Sequence, residues 1–178
     1  WEARSQARGR RVLAKSASAL VRSEESSRLQ AHQQSAVARF GQQALEGAGI
    51  DELAEDATRI VADVLEIDYS GVLKLLPGGE ELQLVSAVGL PEELFGKARV
   101  PADYRSQSGY AIATGEPVVV DDWSTETRFQ KSAIQAQEGL QSAAIILIKG
   151  KGEPFGVLGA GSSRLHGFTE ADISFLQA

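Results

Sequence analysis

The side chains best equipped for chemistry lie in a middle stretch of the chain. Asp121, Asp122, Glu126 and Arg128 surround Trp123 and Phe129, with Tyr104, Arg105 and Tyr110 upstream. Paired carboxylates can act as general acid and base, but no nucleophile stands at a telling spacing from them. A loop-bracing ion pair between Asp122 and Arg128 explains the charges more simply. Aromatic walls with a few polar groups are also what small-molecule pockets use. Arg105 or Arg128 would offer a planar fork to a carboxylate or phosphate. The candidate ligand-binding set is therefore Tyr104, Arg105, Tyr110, Trp123, Arg128 and Phe129, expected around one cavity. The competing reading is that these aromatics only fill the core.

Other chemistries have weaker support. His32 and His166 are the only histidines and there is no cysteine, so no zinc spacing exists. A haem needs only one proximal histidine, yet His166, beside Gly167, reads better as an exposed loop residue. Lys149-Gly150-Lys151-Gly152 lacks the strand–loop–helix setting of a phosphate loop and reads as a hairpin turn. No cofactor, metal or catalytic residue is assigned, and the segment is not expected to be an enzyme. The chain also lacks methionine and asparagine. It begins at Trp1, which suggests an excerpt of a longer protein.

These residues need a scaffold. The 178 residues suit one domain with an appendage. Residues 1–39 carry a net charge of +5 and the remainder −11. An acidic body argues against nucleic-acid binding. The longest apolar run, Ala143 to Ile148, is far too short to span a membrane. A proline-free stretch from about Arg10 to Glu46 predicts a long helix, stopped by Gly47 and Gly49. Leu53, Ala57, Ile60, Val61, Val64 and Leu65 form one apolar face of a second helix, with Asp51 as its N-cap. Tyr69–Leu76 and Leu82–Val88 flank Pro77-Gly78-Gly79 as a hairpin. An irregular stretch follows, holding a short helix at Ser108–Thr114, a strand at Val118–Val120 and helical turns within Gln130–Gln137. Ser142–Ile148 and Phe155–Gly161 form a second hairpin, and Thr169 with Asp172 caps a last helix. Gly156, Gly159 and Gly161 within a strand suggest close backbone approach or a bulge.

Several stretches together resemble the GAF family of sensory domains. They are Ser108-Gly109-Tyr110-Ala111, Gly115-Glu116-Pro117-Val118-Val119-Val120-Asp121-Asp122, Arg128-Phe129, Gly139-Leu140-Gln141-Ser142, Phe155-Gly156-Val157-Leu158-Gly159 and Phe168-Thr169-Glu170-Ala171-Asp172. The resemblance implies an α+β fold. Its antiparallel sheet of five or six strands would carry helices on one side and a loop-rich pocket on the other, behind a long N-terminal linker helix. The expected boundaries are 1–34 for the helical linker and 35–178 for the sensory domain, with its final helix cut short. The missing cysteines remove a covalent bilin and the redox cysteines of sulfoxide-reducing relatives. The Asn-Lys and Phe-x-x-x-Asp-Glu motif of cyclic-nucleotide-binding relatives is absent, because Ile173 follows Asp172. Leu147 stands where many relatives have proline.

The function so implied is sensory or regulatory. The domain would bind an unidentified small molecule, mediate dimerisation, or both. It would relay a signal through its terminal helices to an output domain in the same polypeptide, a histidine kinase first and a cyclic-di-GMP enzyme next. A dimerisation spacer without ligand is the alternative, and a stand-alone enzyme in this fold comes third. A parallel homodimer is expected through Leu13, Leu20, Leu29, Val37 and Phe40, with Leu13 and Leu20 seven residues apart as on a coiled-coil seam. The polar run 22–28 breaks that seam. The expected location is cytoplasmic. Arg4, Arg8, Arg10, Arg11 and Lys15 fit either the cytoplasmic side of a membrane anchor in the parent protein or the solvated end of a linker helix.

Overall fold

The computed structural model describes the backbone of residues 2–178 and the side chains of residues 18–21 and 23–178. Helix α1 (Glu2–Leu45) continues through the polar run 22–28 without interruption. Its interface candidate Leu13 and the basic cluster from Arg4 to Lys15 lie outside the described side chains. Helix α2 (Ile50–Leu65) starts one residue before Asp51, so its N-cap is the extended Gly49, with no side-chain cap. Asp51 instead places its charge in the first turn, where the exposed amides favour an anion.

The sheet has six strands: β1 (Tyr69–Leu75), β2 (Glu81–Val88), β3 (Arg99–Pro101), β4 (Val118–Val120), β5 (Ser142–Ile148) and β6 (Gly156–Ser162). Their order is β3-β2-β1-β6-β5-β4, and every neighbouring pair is antiparallel. The two hairpins supply β1–β2 and β5–β6, and β1 and β6 join them at the centre. Strand β3 carries no sequence signal of its own. It exists because Arg99 to Pro101 pair with Gln83 to Glu81 at the sheet's edge. Pro117 precedes the opposite edge strand, β4, where a missing amide costs no ladder bond.

Alternation along each strand divides the core into two. On one face Val72, Ala144, Ile146, Leu158 and Ala160 pack under α2 and α5 (Glu170–Gln177), with Ala36 of α1 buried there too. The stripe Gln33, Ala36, Val37 and Phe40 is the part of α1 turned inward, at the i, i+3, i+4, i+7 spacing of one helix face. Thr169 caps α5 in a reciprocal box with Asp172. On the other face Leu73, Ile145 and Val157 meet Val118, Val120, Trp123, Phe129 and Leu140. Two short helices cover this second face, α3 (Gln107–Thr114) and α4 (Ala133–Gln137). Helices thus occur on both sides, with the long ones on one side only. Among the described residues no helix is long and apolar enough to cross a membrane.

Candidate functional site

Between the sheet and the short helices lies a cavity of about 90 Å³. Its floor is set by alternation. Tyr69, Gly71 and Leu73 of β1 share this face with Gly159 and Gly161 of β6 and with Ala143 and Ile145 of β5. Gly71 pairs directly with Gly159, so two adjacent positions at the sheet's centre lack side chains. A methyl group at Gly159 would meet nothing nearer than 3.7 Å, so there the glycine leaves space. That differs from the close approach expected of it. At Gly161 the same methyl would come within 2.6 Å of Leu140, and at Gly156 within 1.9 Å of the Leu73 carbonyl. Gly156 is required by contact with backbone, whereas at Gly161 the Leu140 side chain would have to give way.

The roof is built by the start of α3. Ser106 is its N-cap, its hydroxyl accepting from the Gly109 amide and donating to the Pro101 carbonyl at 2.5 Å. Gly109 lets the helix lie on the backbone of Ala102 and Asp103, since a methyl there would sit 2.2 Å from the Asp103 carbonyl oxygen. Gln107, only 1% exposed, ties roof to floor. Its Nε2 donates to the Val118 and Ala143 carbonyls at 3.0 and 3.1 Å, and its Oε1 accepts from Gln135 Nε2. Gln135 is itself held by a capping box with Ser132. Tyr69 crosses the far end, its hydroxyl donating to the Glu138 carbonyl, and burial raises its pKa. Ser108 is 5% exposed and lines the cavity, yet its hydroxyl has no hydrogen-bond partner.

None of the six residues proposed from the sequence lines this cavity. Four of them form a separate outer cluster. Tyr110 meets Tyr104 edge-on at 5.9 Å and Phe129 at 5.3 Å, and the Arg128 guanidinium lies 4.8 Å from the Phe129 ring. Tyr104 is 65% exposed. Arg105 is paired with Asp103 at 2.9 Å. Trp123 is buried elsewhere in the core, with Lys131 over its ring and no partner for its Nε1.

The expected Asp122–Arg128 pair is not formed. Arg128 instead grips Glu126 at 2.6 Å and donates to the Val119 carbonyl at 2.8 Å. This grip lowers the Glu126 pKa and raises that of Arg128. Asp122 turns back on Ser124, whose side chain and then amide hold its pKa low. The loop is braced, but by a pair two residues apart, because a carboxylate at i bonds the amide of residue i+2 more readily than it reaches across the loop. His166 is half-buried rather than exposed, tilted against Phe168 at 4.6 Å. The turn 149–154 joins β5 to β6 as a hairpin.

Sequence reasoning looked for aromatic and charged side chains, whereas glycine, serine and glutamine line the cavity together with Leu73, Leu84, Ile134, Leu140 and Ile145, and Tyr69 is its one aromatic. Two signals pointed to it. Val157, Gly159 and Gly161 alternate with Leu158 and Ala160, which places the glycines on one face. The Ser106-x-x-Gly109 spacing marks a capped helix start.

A six-stranded antiparallel sheet with long helices on one face and a cavity under short helices on the other defines an α+β module. The chain belongs to the GAF domain family, whose model matches residues 47–178. GAF domains serve signalling proteins as sensory modules that bind small ligands or dimerise.

No curated protein matches the chain, but solved structures share its fold. The GAF domain of an Acinetobacter phosphoenolpyruvate-protein phosphotransferase is 20% identical, with 82% of this chain and 85% of that chain covered at a TM-score of 0.69. Free methionine-R-sulfoxide reductase of Neisseria meningitidis, solved with its substrate, is 19% identical over 81% of each chain, TM-score 0.68. The phycocyanobilin-bound GAF domain of a cyanobacterial phytochrome is 18% identical, covering 82% of this chain and 87% of that one, TM-score 0.66. At these identities the likeness is one of fold.

Proposed function

We propose that this chain is a regulatory GAF module that takes a small molecule into the cavity between β1, β5, β6 and the start of α3. It passes the occupancy on through its terminal helices. The observation that carries this reading is the cavity floor. Gly71 and Gly159 face each other across two central strands, and Gly159 has room for a side chain that the sequence does not supply. The fold therefore forgoes burial at the centre of its sheet, where filling the space would add stability. Output goes to a further domain of the same polypeptide, a histidine kinase first and a cyclic-di-GMP enzyme next, in a cytoplasmic, two-component setting.

The mechanical route runs through the sheet to α2 and α5, on which α1 rests. Leu20 and Leu29 of α1 are exposed, whereas Val37 and Phe40 are half-buried, and Val37 packs on the domain's own core. A parallel homodimer through α1 thus draws on Leu20 and Leu29 with Leu13 as the next seam position, while Val37 and Phe40 connect that seam to the domain. The outer cluster of Tyr104, Tyr110, Arg128 and Phe129, with the Asp103-paired Arg105, is a second surface for contact, and Trp123 is buried in the core.

A metabolite thermal-shift screen tests the cavity reading. A ligand at one hundred times its dissociation constant stabilises by about 2.7 kcal/mol. Stabilisation should vanish in Gly159→Leu, which fills the floor. Stabilisation that persists in that variant places binding elsewhere. Replacing Leu20 with glutamate should weaken self-association in sedimentation experiments, and an unchanged dimer would move the interface away from α1.

A further inference from the structure

Donors without an acceptor lie in two parts of the cavity wall: the start of α3, and Ser132, whose hydroxyl accepts from the Gln135 amide and donates to nothing. The Ser106 hydroxyl, the Tyr69 hydroxyl, the Gln107 amide and the Ser70 hydroxyl are all engaged within the chain. Ser108 is different. It is 95% buried by its 5% exposure, it lines the cavity, and its hydroxyl bonds to nothing. It is the second residue of α3, whose first-turn amides at Gln107 and Ser108 also have no acceptor, because the cap oxygen of Ser106 takes only the Gly109 amide. Free amides at a helix start carry partial positive charge and attract anions. An unpartnered hydroxyl beside them adds one more donor for whatever enters the cavity.

The rest of the wall sets the other limits. No lysine, arginine, histidine, aspartate or glutamate lines the cavity. A doubly charged phosphate would have no counter-charge, and an ammonium group would find no carboxylate, so both would be buried uncompensated. Leu73, Leu84, Ile134, Leu140 and Ile145 supply an apolar remainder. The volume, about 90 Å³, compares with roughly 150 Å³ for an apolar cavity that accepts benzene. It suits a body of about three to five carbons.

We infer that the cavity binds a small monocarboxylate with a compact aliphatic body, its carboxylate against the Ser108 hydroxyl and the Gln107 and Ser108 amides at the start of α3. The inference rests on the cavity being a ligand site. One negative charge is matched by helix-end donors, and the aliphatic part replaces water on the glycine floor. Dicarboxylates, amino acids and phosphate esters each bring a second charge that this wall leaves unpaired.

The experiment is an amide NMR titration of the full chain with isobutyrate, isovalerate, isobutyramide and inorganic phosphate. Isobutyrate or isovalerate should shift the Gln107 and Ser108 amides saturably. Isobutyramide should bind at least roughly tenfold more weakly and phosphate should leave these amides unmoved, since charge-assisted hydrogen bonds are the stronger ones. Ser108→Ala should weaken the carboxylate by roughly tenfold or more while the protein stays folded. Gly159→Leu should abolish binding, with Ile134→Trp on the roof as a second blocking variant should the first not fold. Isobutyramide or phosphate binding as well as the carboxylates, unaltered affinity in Ser108→Ala, or no response to either carboxylate at millimolar concentration overturns the inference. If the amide or phosphate binds and Gly159→Leu blocks it, the cavity stands as a site and the monocarboxylate assignment fails. If binding survives both blocking variants, the cavity itself is not the site.

Discussion

The two faces of this sheet are made from the same strands and differ in what they leave empty. In β6, Leu158 and Ala160 fill the space under α2 and α5, while Val157, Gly159 and Gly161 face α3 and α4. In β1, Val72 points to the long helices, and Gly71 and Leu73 to the cavity. The first face is closed with side chains, the buried hydroxyl pair Thr58 and Ser86 among them. The second is closed by a glutamine truss and keeps a void. One face holds the fold together, and the other has given up part of that role, as ligand sites do.

This contrast can be broken by substitution. The largest effect is expected for Leu158→Ala on the packed face, a loss of about 3 kcal/mol or more in urea unfolding. A loss below about 1 kcal/mol would show that this face is not the better packed of the two. Next comes Gly156→Ala, expected to cost about 2 kcal/mol because the new methyl would strike the Leu73 carbonyl and the backbone must move. Gln107→Leu should cost about 1 to 2 kcal/mol by stripping the Val118 and Ala143 carbonyls of their donor. Hydrogen exchange should then speed up in α3 ahead of the sheet, and uniform acceleration would count against the truss. Gly159→Ala is expected to lie within about 1 kcal/mol of the parent, on the stabilising side. Set beside Gly156→Ala, it sharpens the comparison, since both are glycines of one strand. A large loss at Gly159 would mean its backbone, not the cavity, requires glycine.

The smallest effect concerns acid. Asp68 accepts from the Ser163 amide and hydroxyl and from the Ser162 hydroxyl. The Ser163 amide chiefly lowers its pKa. A depressed folded-state pKa means that stability is present above the unfolded value near 3.9 and is lost as pH falls through the folded value. Asp68→Asn should therefore remove part of the stability loss seen on acidification below about pH 4. Because Asp68 is exposed, solvent screens the contact. An acid transition identical in the variant would show that the group contributes nothing.

Much of the scaffold could be read locally. The hairpins announced themselves through Pro77-Gly78-Gly79 and the 149–154 turn. Helix α5 was marked by Thr169 and Asp172, and the end of α3 by Gly115, which adopts the left-handed conformation. The N-cap of α2 was misplaced because Gly49 caps without a side chain. The inward residues of α3 were passed over because Tyr110, the conspicuous one, points outward, and Gln107 and Ser108 carry no distinctive signal.

The sequence alone sets the elements and their alternation, because caps, turns and periodicity act between residues close along the chain. It also excluded thiol-based chemistry outright, since no cysteine exists to perform it. The tertiary structure alone decided three things. Residues 99–101 became a strand because β2 lay there to pair with. Arg128 took Glu126 and the edge carbonyl of Val119 in place of Asp122. The pocket wall was assembled from glycines, serines, glutamines and aliphatic side chains of β1, β2, β5, β6, α3 and α4 and not from the aromatics of the middle stretch. Each of these depends on which segments meet across the fold, and a void is defined by what surrounds it, so no single stretch of sequence contains it.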